Sequence, residues 1–159
     1  MGGIMSRLMC SCGVGLADSN VPSDNVLYVF AKTDIDNALL NDANITLYDF
    51  ETCIESTSEF WYCTNCKRVL VVENIPDGEV VVRYSVSLSP EEEQLQDLTA
   101  FYVFSDVDIY NAEEMNPDIK LSDFITRHGE SHLYYTDNSK SAVYRLIQDN
   151  RYRRVYVQE

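Results

Sequence analysis

The chain has 159 residues, which is enough for one medium domain or two small ones. Its composition, with 45% hydrophobic and 11% aromatic residues, is typical of a globular protein and excludes a disordered one. Twelve basic against 26 acidic residues give a net charge of -14, which argues against direct binding to nucleic-acid phosphates. Because there is no apolar run long enough to span a membrane and no signal-peptide pattern, we expect no membrane contact and a cytoplasmic location.

The first motif in chain order is Cys-Ser-Cys-Gly at residues 10–13, where Gly13 gives the backbone freedom that a tight turn needs. The elements that follow it are a strand at 25–30, a helical turn opening at Asp34, a short element at 45–50, and strands at 60–63, 69–73 and 80–86. Asp77-Gly78 predicts a tight hairpin turn between the last two of these strands.

A join at residues 87–98 follows, in which Ser89-Pro90 and the three glutamates after it favour the start of a helix. The elements after the join are a strand at 100–104, a helical turn opening at Asp108, a short element at 119–124, and strands at 133–136, 142–147 and 152–158. The chain is therefore expected to be α+β and mostly β.

Two short turns each supply a pair of cysteines, and the second pair lies between two strands, as at the tip of a hairpin. Four thiolates from two such turns form the closed tetrahedral set that holds structural Zn²⁺, with no open position for water. We therefore predict one structural zinc site with four ligands: Cys10, Cys12, Cys63 and Cys66.

Other candidate metal ligands are weaker. Cys53 stands apart and is interpreted as a buried core thiol, or as a substitute ligand if Cys10 or Cys12 does not bind. A second site at His128 and His132 is disfavoured, because Gly129 weakens any helix that would align the two rings.

An internal match supports a modular organisation. Residues 27–50 and 101–124 are identical at eleven of 24 positions at a constant offset of 74. We interpret the match as an internal duplication that gives two tandem related modules. The first is a zinc ribbon with a long insertion (residues 1–88), and a linker (89–98) joins it to a degenerate copy without metal ligands (99–159).

The first module resembles a group of small zinc-ribbon proteins of Firmicutes and their phages. These carry an early Cys-x-Cys-Gly and a later Trp-x-Cys-x-x-Cys-x-Arg before a valine-rich hairpin. The matching features here are residues 10–13, Trp61, the second cysteine pair, Arg68 and residues 69–73. The resemblance covers residues 10 to about 86 and implies metal and fold, with a place in the bacterial host cytosol, but no activity.

No phosphate-binding loop, nucleophile elbow or catalytic triad is evident, so an enzyme is not expected. In size, acidity and lack of catalytic motifs the chain is similar to phage anti-CRISPR proteins, which inhibit Cas9. We therefore expect a binding or inhibitor protein whose acids occupy a basic surface on Cas9 or another nucleic-acid-handling enzyme. The candidate acids are Glu91, Glu92, Glu93, Asp97, Asp106, Asp108, Glu113 and Glu114. Two alternatives stay open, an immunity protein against a nuclease toxin and a thiol redox protein acting through Cys63 and Cys66.

Overall fold

A computed structural model gives the structure of the protein and describes residues 7–18, 22–54, 58–75, 78–89 and 91–159. The amino-terminal half contains β1 (Arg7–Met9), β2 (Gly15–Ala17), β3 (Val26–Ala31), α1 (Lys32–Asn41), α2 (Leu47–Cys53), β4 (Ser58–Tyr62), β5 (Val69–Ile75) and β6 (Gly78–Val86). The remainder contains β7 (Glu92–Gln94), β8 (Thr99–Ser105), α3 (Asp106–Met115), α4 (Leu121–His128), β9 (Leu133–Thr136), β10 (Ala142–Gln148) and β11 (Arg151–Gln158).

Eight of the strands form one antiparallel barrel in the order β10-β9-β8-β3-β4-β5-β6-β11. The barrel closes because β10 also pairs with β11, from Ala142 opposite Val157 to Gln148 opposite Arg151. Closure leaves no free edge among these eight strands. Short β7 pairs with β11 outside this ring.

All four helices pack on the outside of β3 and β8, which are direct neighbours in the barrel. The loops before α2 and α4 are tied together, since the amide of Leu47 donates to the carbonyl of Ile119 and that of Leu121 to Ile45. One shared core lies beneath the helices, and it consists of Phe30, Ile35, Leu47, Phe50, Tyr102, Phe104, Ile109, Ile119, Leu121 and Phe124. Strands and helices from both sides of the join therefore bury a single apolar layer.

This architecture shows that the predicted fold class is wrong. The protein is mostly β, as expected, but the arrangement of two tandem duplicated modules, the first a zinc ribbon, does not occur. The matching segments instead form adjacent strands of one barrel, with Tyr28 opposite Phe104 and Phe30 opposite Tyr102. The reason is that neither half has enough strands to close a sheet alone, whereas the two together do.

A separate two-stranded sheet of β1 and β2 covers the outer face of β4 and β5. Its Leu16 packs with Trp61 and Leu70 of these barrel strands in a second, smaller core. The hairpin is too small to be stable by itself, so this contact and the cysteines beside it hold it in place.

Three local expectations are corrected or refined. The helix expected to start at Ser89 does not form, because Glu92–Gln94 is strand β7 and its two glutamates form ion pairs with Arg153 and Arg154. Cys53 is exposed at the end of α2 and is not a core thiol. The expected hairpin of β5 and β6 is present, with Ile75 opposite Gly78, although the two residues at its tip lie outside the described part of the chain.

None of the helices in the described ranges is both long enough and apolar enough to cross a lipid bilayer.

Candidate metal centre

The four cysteines lie on two turns that face each other. Cys10 and Cys12 occupy the turn between β1 and β2, which is closed by a hydrogen bond from the Gly13 amide to the Cys10 carbonyl and by a positive φ of 95° at Gly13. Cys63 and Cys66 occupy the turn between β4 and β5. The sequence favours the first turn because Gly13 adopts the left-handed conformation without strain.

The second turn is built around its first cysteine. The amide of Cys63 donates to the carbonyl of Arg68 at 3.0 Å, and the amide of Lys67 donates back to the carbonyl of Cys63 at 2.8 Å. Lys67 has a φ of 65°, which is unusual for a residue with a side chain. This backbone arrangement turns both sulfurs of the pair towards the β1–β2 hairpin.

The sulfur atoms have the spacing of a tetrahedral metal site. Cys10 Sγ lies 3.4 Å from Cys66 Sγ, and Cys12 Sγ lies 3.7 Å from Cys63 Sγ. All four sulfurs lie within 4.8 Å of one another, and none of the four cysteines forms a disulfide. Metal–sulfur bonds of about 2.3 Å place the sulfurs of a tetrahedron about 3.8 Å apart, whereas a disulfide needs about 2.05 Å. The cluster therefore has the geometry to bind a metal ion.

Burial and hydrogen bonding give the four thiols different acidities. Burial raises the pKa of Cys10 to about 11, which outweighs the hydrogen bond from the amide of Cys12. Burial also disfavours the thiolate of Cys66, but hydrogen bonds from the backbone and side chain of Arg68, with others from Cys10 and Cys63, lower its pKa to about 6. The pKa of Cys12 is lowered by the amide of Val14 and then by the side chain of Asn65.

Polar side chains around the cluster offset negative charge on the sulfurs. Asn65 Nδ2 donates to Cys12 Sγ at 3.6 Å. Arg68, which hydrogen-bonds to Cys66, also forms an ion pair with Glu159, with Nε 3.0 Å from Oε1. Donors of this kind orient metal-bound thiolates and tune the metal. The sequence identified Arg68 only through a resemblance and missed Asn65, although both lie inside or beside the Cys-x-x-Cys segment.

The candidate acids do not form one group. Glu92 and Glu93 on β7 face Arg153 and Arg154, at 3.4 and 3.1 Å, so their charges are compensated. Two of the acids on α3 form hydrogen bonds within the fold. Asp106 accepts from the amide of Ser23 at 2.8 Å, and Asp108 forms a capping box with Ser105. Glu113 adjoins Glu51 of α2, whereas Glu91, Asp97 and Glu114 are exposed.

The two histidines have structural contacts. His132 Nδ1 lies 3.0 Å from the carbonyl of Val103, and its ring packs on Phe104. His128 packs on Phe124. Among the described residues, the cysteine cluster is the group that fits a metal, and the two histidines do not join it.

The amino-terminal part of the chain matches a family model. This model is described as a domain of unknown function (DUF8617), and it matches residues 6–92, more than half of the chain. The chain belongs to this family. Neither a curated protein nor a solved structure matches it.

The DUF8617 match includes all four clustered cysteines and the strands β1 to β6. It does not include β8 to β11, although four of the eight barrel strands lie there. The cysteine cluster is therefore inside the part of the chain that defines the family.

Proposed function

We propose that this DUF8617 protein is a zinc-stabilised, non-enzymatic binding protein that docks through its acidic helical layer on a basic protein surface. Three features support the parts of this proposal. They are the closed set of thiolates, the concentration of acidic charge on the four helices, and the exposed apolar side chains among those acids.

Zinc is the metal that the ligand set favours. Four cysteines with no histidine or carboxylate form the soft, tetrahedral set that selects zinc or iron–sulfur centres. One ion fits among four sulfurs that all lie within 4.8 Å of one another, two pairs of them at 3.4 and 3.7 Å. Such an ion is structural, because four protein ligands leave no position for water or substrate. Bound there, it clamps the β1–β2 hairpin to β4 and β5.

The observation that carries the binding proposal is the charge of the helical layer. The segments 32–53 and 106–128 contain eleven acids and three Lys or Arg residues, a net charge of -8 out of the -14 for the chain. Because the four helices share one core against β3 and β8, these charges lie on one side of the barrel. Nucleic-acid-handling enzymes have large basic channels, as Cas9 does for its RNA–DNA duplex, and an acidic layer complements such a surface.

Apolar residues on the same layer add contact surface. Leu40 at the end of α1 is 85% exposed and Met115 at the end of α3 is 90% exposed. Tyr48 on α2 is also exposed, at 56%. Aromatic residues and methionine are enriched in protein interfaces, where they supply affinity while the charges supply specificity and rate of association.

The test uses purified Cas9–guide complex and a purified nuclease toxin domain as immobilised partners, with binding measured at low and high salt. We expect binding to one of them, weakened by salt, because screening acts on exposed charges. Replacing the exposed acids Glu114 and Asp118 by lysine is expected to abolish it, whereas Glu79→Lys on β6 is the matched control on a barrel strand. Salt-insensitive binding, or equal loss in the control, would contradict the acidic-layer proposal.

A thiol redox function is the second candidate, favoured by the lowered pKa of Cys66, about 6. A low pKa increases the fraction of reactive thiolate at neutral pH. The two candidates differ in the behaviour of the purified protein. A redox protein has reactive Cys63 and Cys66 without any chelator, whereas a zinc site shields both until the metal is removed.

A further inference from the structure

The interior of the barrel contains a cavity of about 680 Å³ that is open to solvent, and all eight barrel strands contribute to its wall. Inward-pointing residues alternate along each strand, as in β3, where Leu27, Val29 and Ala31 face the cavity and Phe30 faces the helices. Pockets of about 300–1,000 Å³ hold small molecules, and eight strands is a barrel size that can enclose one such ligand.

The wall of the cavity is mainly apolar and is not filled by its own side chains. Leu27, Val29, Phe101 and Val103 lie on adjacent paired strands and point inward, yet each is only half-buried. Protein interiors are normally packed as densely as organic crystals. An apolar wall with this much free space is suited to an apolar guest, since burying it removes hydrocarbon surface from water.

Tyrosine hydroxyls are among the polar groups on the wall, which also include serine and threonine hydroxyls, His132 and Lys140. Tyr62, Tyr134 and Tyr156 line the cavity, and burial, with the nearby hydroxyls of Tyr134 and Tyr62, raises the pKa of Tyr156 to about 12. Tyr156 therefore stays neutral and able to donate a hydrogen bond at physiological pH. Tyr84 is already engaged, because its hydroxyl donates to the carbonyl of Lys140 at 3.0 Å.

One end of the cavity adjoins a group of arginines. Tyr134 and Tyr156 also line a second cavity of about 380 Å³, whose wall includes Arg145, Arg153 and Arg154. Arg153 and Arg154 are compensated by the glutamates of β7. Arg145 stacks on the ring of Tyr134 at 5.0 Å and donates to the carbonyl of Ser131.

Arg145 therefore differs from its two neighbours. Within the described ranges it has no carboxylate partner. A guanidinium without a carboxylate partner, beside an apolar cavity, has the chemistry to bind an anionic group.

We infer that the barrel binds one amphiphilic carboxylate, with its aliphatic tail along the apolar wall and its carboxylate on Arg145. The tail is expected to contact Val29, Val71 and Val103, and the hydroxyls of Tyr134 and Tyr156 lie between tail and head. Two carboxylates, Asp34 and Asp108, also line the cavity, which makes a cationic amphiphile the competing ligand that the test has to separate.

The experiment is calorimetric titration of the full-length protein with dodecanoate below its critical micelle concentration. Dodecylamine and methyl dodecanoate are the probes with a reversed and a neutral head. We expect saturable binding of one dodecanoate per chain, weaker binding of the ester and weakest binding of the amine. No binding of dodecanoate, or tighter binding of the amine, overturns the inference.

Four variants locate the tail and the head. Val103→Phe fills the cavity and is expected to weaken dodecanoate binding by about tenfold or more, whereas Leu146→Phe adds bulk at an exposed position and leaves affinity unchanged.

Arg145→Gln is expected to weaken the binding of dodecanoate about tenfold but not the binding of the ester. Arg153→Gln, at a residue paired with Glu92, is expected to change the affinity by less than about twofold. Unfolding temperatures establish that each variant is folded, and Val29→Phe repeats the tail test if Val103→Phe is not. Unchanged affinity in the folded tail variant, or in Arg145→Gln, overturns the corresponding assignment.

Discussion

Cys10 Sγ lies 3.4 Å from Cys66 Sγ, although 56 positions separate the two residues in the chain. The contact joins a three-residue strand pair to the wall of the barrel. Because β1 and β2 bury little apolar surface of their own, a metal ion bound at this point would connect a marginal hairpin to a stable one.

Metal removal gives the first prediction. The purified protein is expected to contain one zinc ion and to have one thiol that reacts with Ellman's reagent, the exposed Cys53. A chelator should release the metal and expose four more thiols. Five reactive thiols before chelation would contradict the metal site.

The matched variants are Cys63→Ser and Cys53→Ser. Cys63 is 0% exposed in the cluster, so its loss is expected to lower the free energy of unfolding by about 3 kcal/mol or more, equivalent to about 10 °C in Tm. Cys53→Ser, at an exposed position, should change the free energy of unfolding by less than about 0.5 kcal/mol. Differential scanning calorimetry with zinc analysis measures both effects.

A single barrel predicts a single unfolding transition. Phe124 on α4 is 0% exposed in the core beneath the helices, and Trp61 on β4 belongs to the other core. Phe124→Ala is expected to cost about 3–5 kcal/mol and to lower the midpoint of the Trp61 fluorescence transition by the same free energy. Met115→Ala, 90% exposed on α3, is the control and should have almost no effect. If Trp61 unfolded at its original midpoint in Phe124→Ala, the two parts of the chain would be independent.

Local structure was largely predictable from the sequence. The eight barrel strands are predicted within a few residues, because their β-branched and aromatic runs are bounded by turn residues. The three-residue strands β1, β2 and β7 are not predicted. The helices α1 and α3 came out longer than the expected helical turns, since each runs for ten residues from Lys32 or Asp106. Asp34 and Asp108 indicated their first turns but not where they end.

Strand pairing across the chain was not predictable. The pairings of β3 with β8 and of β6 with β11 join strands that are far apart in the chain and have no tight turn between them, and periodicity carries no signal for either. The sequence match between residues 27–50 and 101–124 suggested separate modules, whereas Phe30 and Phe104 in fact contribute to one core. The cavity was missed for the same reason, because its wall exists only when all eight strands close.

The candidate metal site was more accessible to sequence analysis. Closely spaced pairs of cysteines are typical of metal sites. Residue type and spacing therefore suffice to group four of the five cysteines. Geometry added the sulfur–sulfur distances and the donors Asn65 and Arg68. The opposite case is Cys53, which only the structure places at the surface.

Helix capping gives a paired prediction. Ser105 caps α3 and forms a capping box with Asp108, whereas Ala31 stands at the same position of α1 and makes no side-chain bond. Ser105→Ala is expected to cost about 1 kcal/mol of unfolding free energy. Ala31→Ser is expected to stabilise by about 0.5 kcal/mol, because Asp34 is already present three residues later to complete the box. Chemical denaturation measures both, and a destabilised Ala31→Ser would show that the hydroxyl is not accepted beside the barrel wall.

The last prediction concerns pH. Burial, then a hydrogen bond with Glu113 and the charges of Glu113 and Asp106, raises the pKa of Glu51 from 4.5 to about 8. Between pH 4.5 and about 8, the carboxyl of Glu51 is protonated in the folded protein and ionised in the unfolded chain. Stability from this group is therefore complete below pH 4.5 and is lost as pH rises to about 8.

Glu51→Gln has nearly the same shape as a protonated Glu51 and can still form hydrogen bonds, but it does not ionise. We expect this variant to be more stable than the natural protein at pH 8 by about 1 kcal/mol, a value reduced for the half of the side chain that water reaches. The free energies of unfolding of the variant and of the natural protein should become equal near pH 5. Glu114→Gln, an exposed acid on the same α3 helix as Glu113, should follow the natural protein at every pH. Urea unfolding at pH 5, 6.5 and 8 measures the difference, and a constant offset between Glu51→Gln and the natural protein would show that Glu51 does not hold the proton.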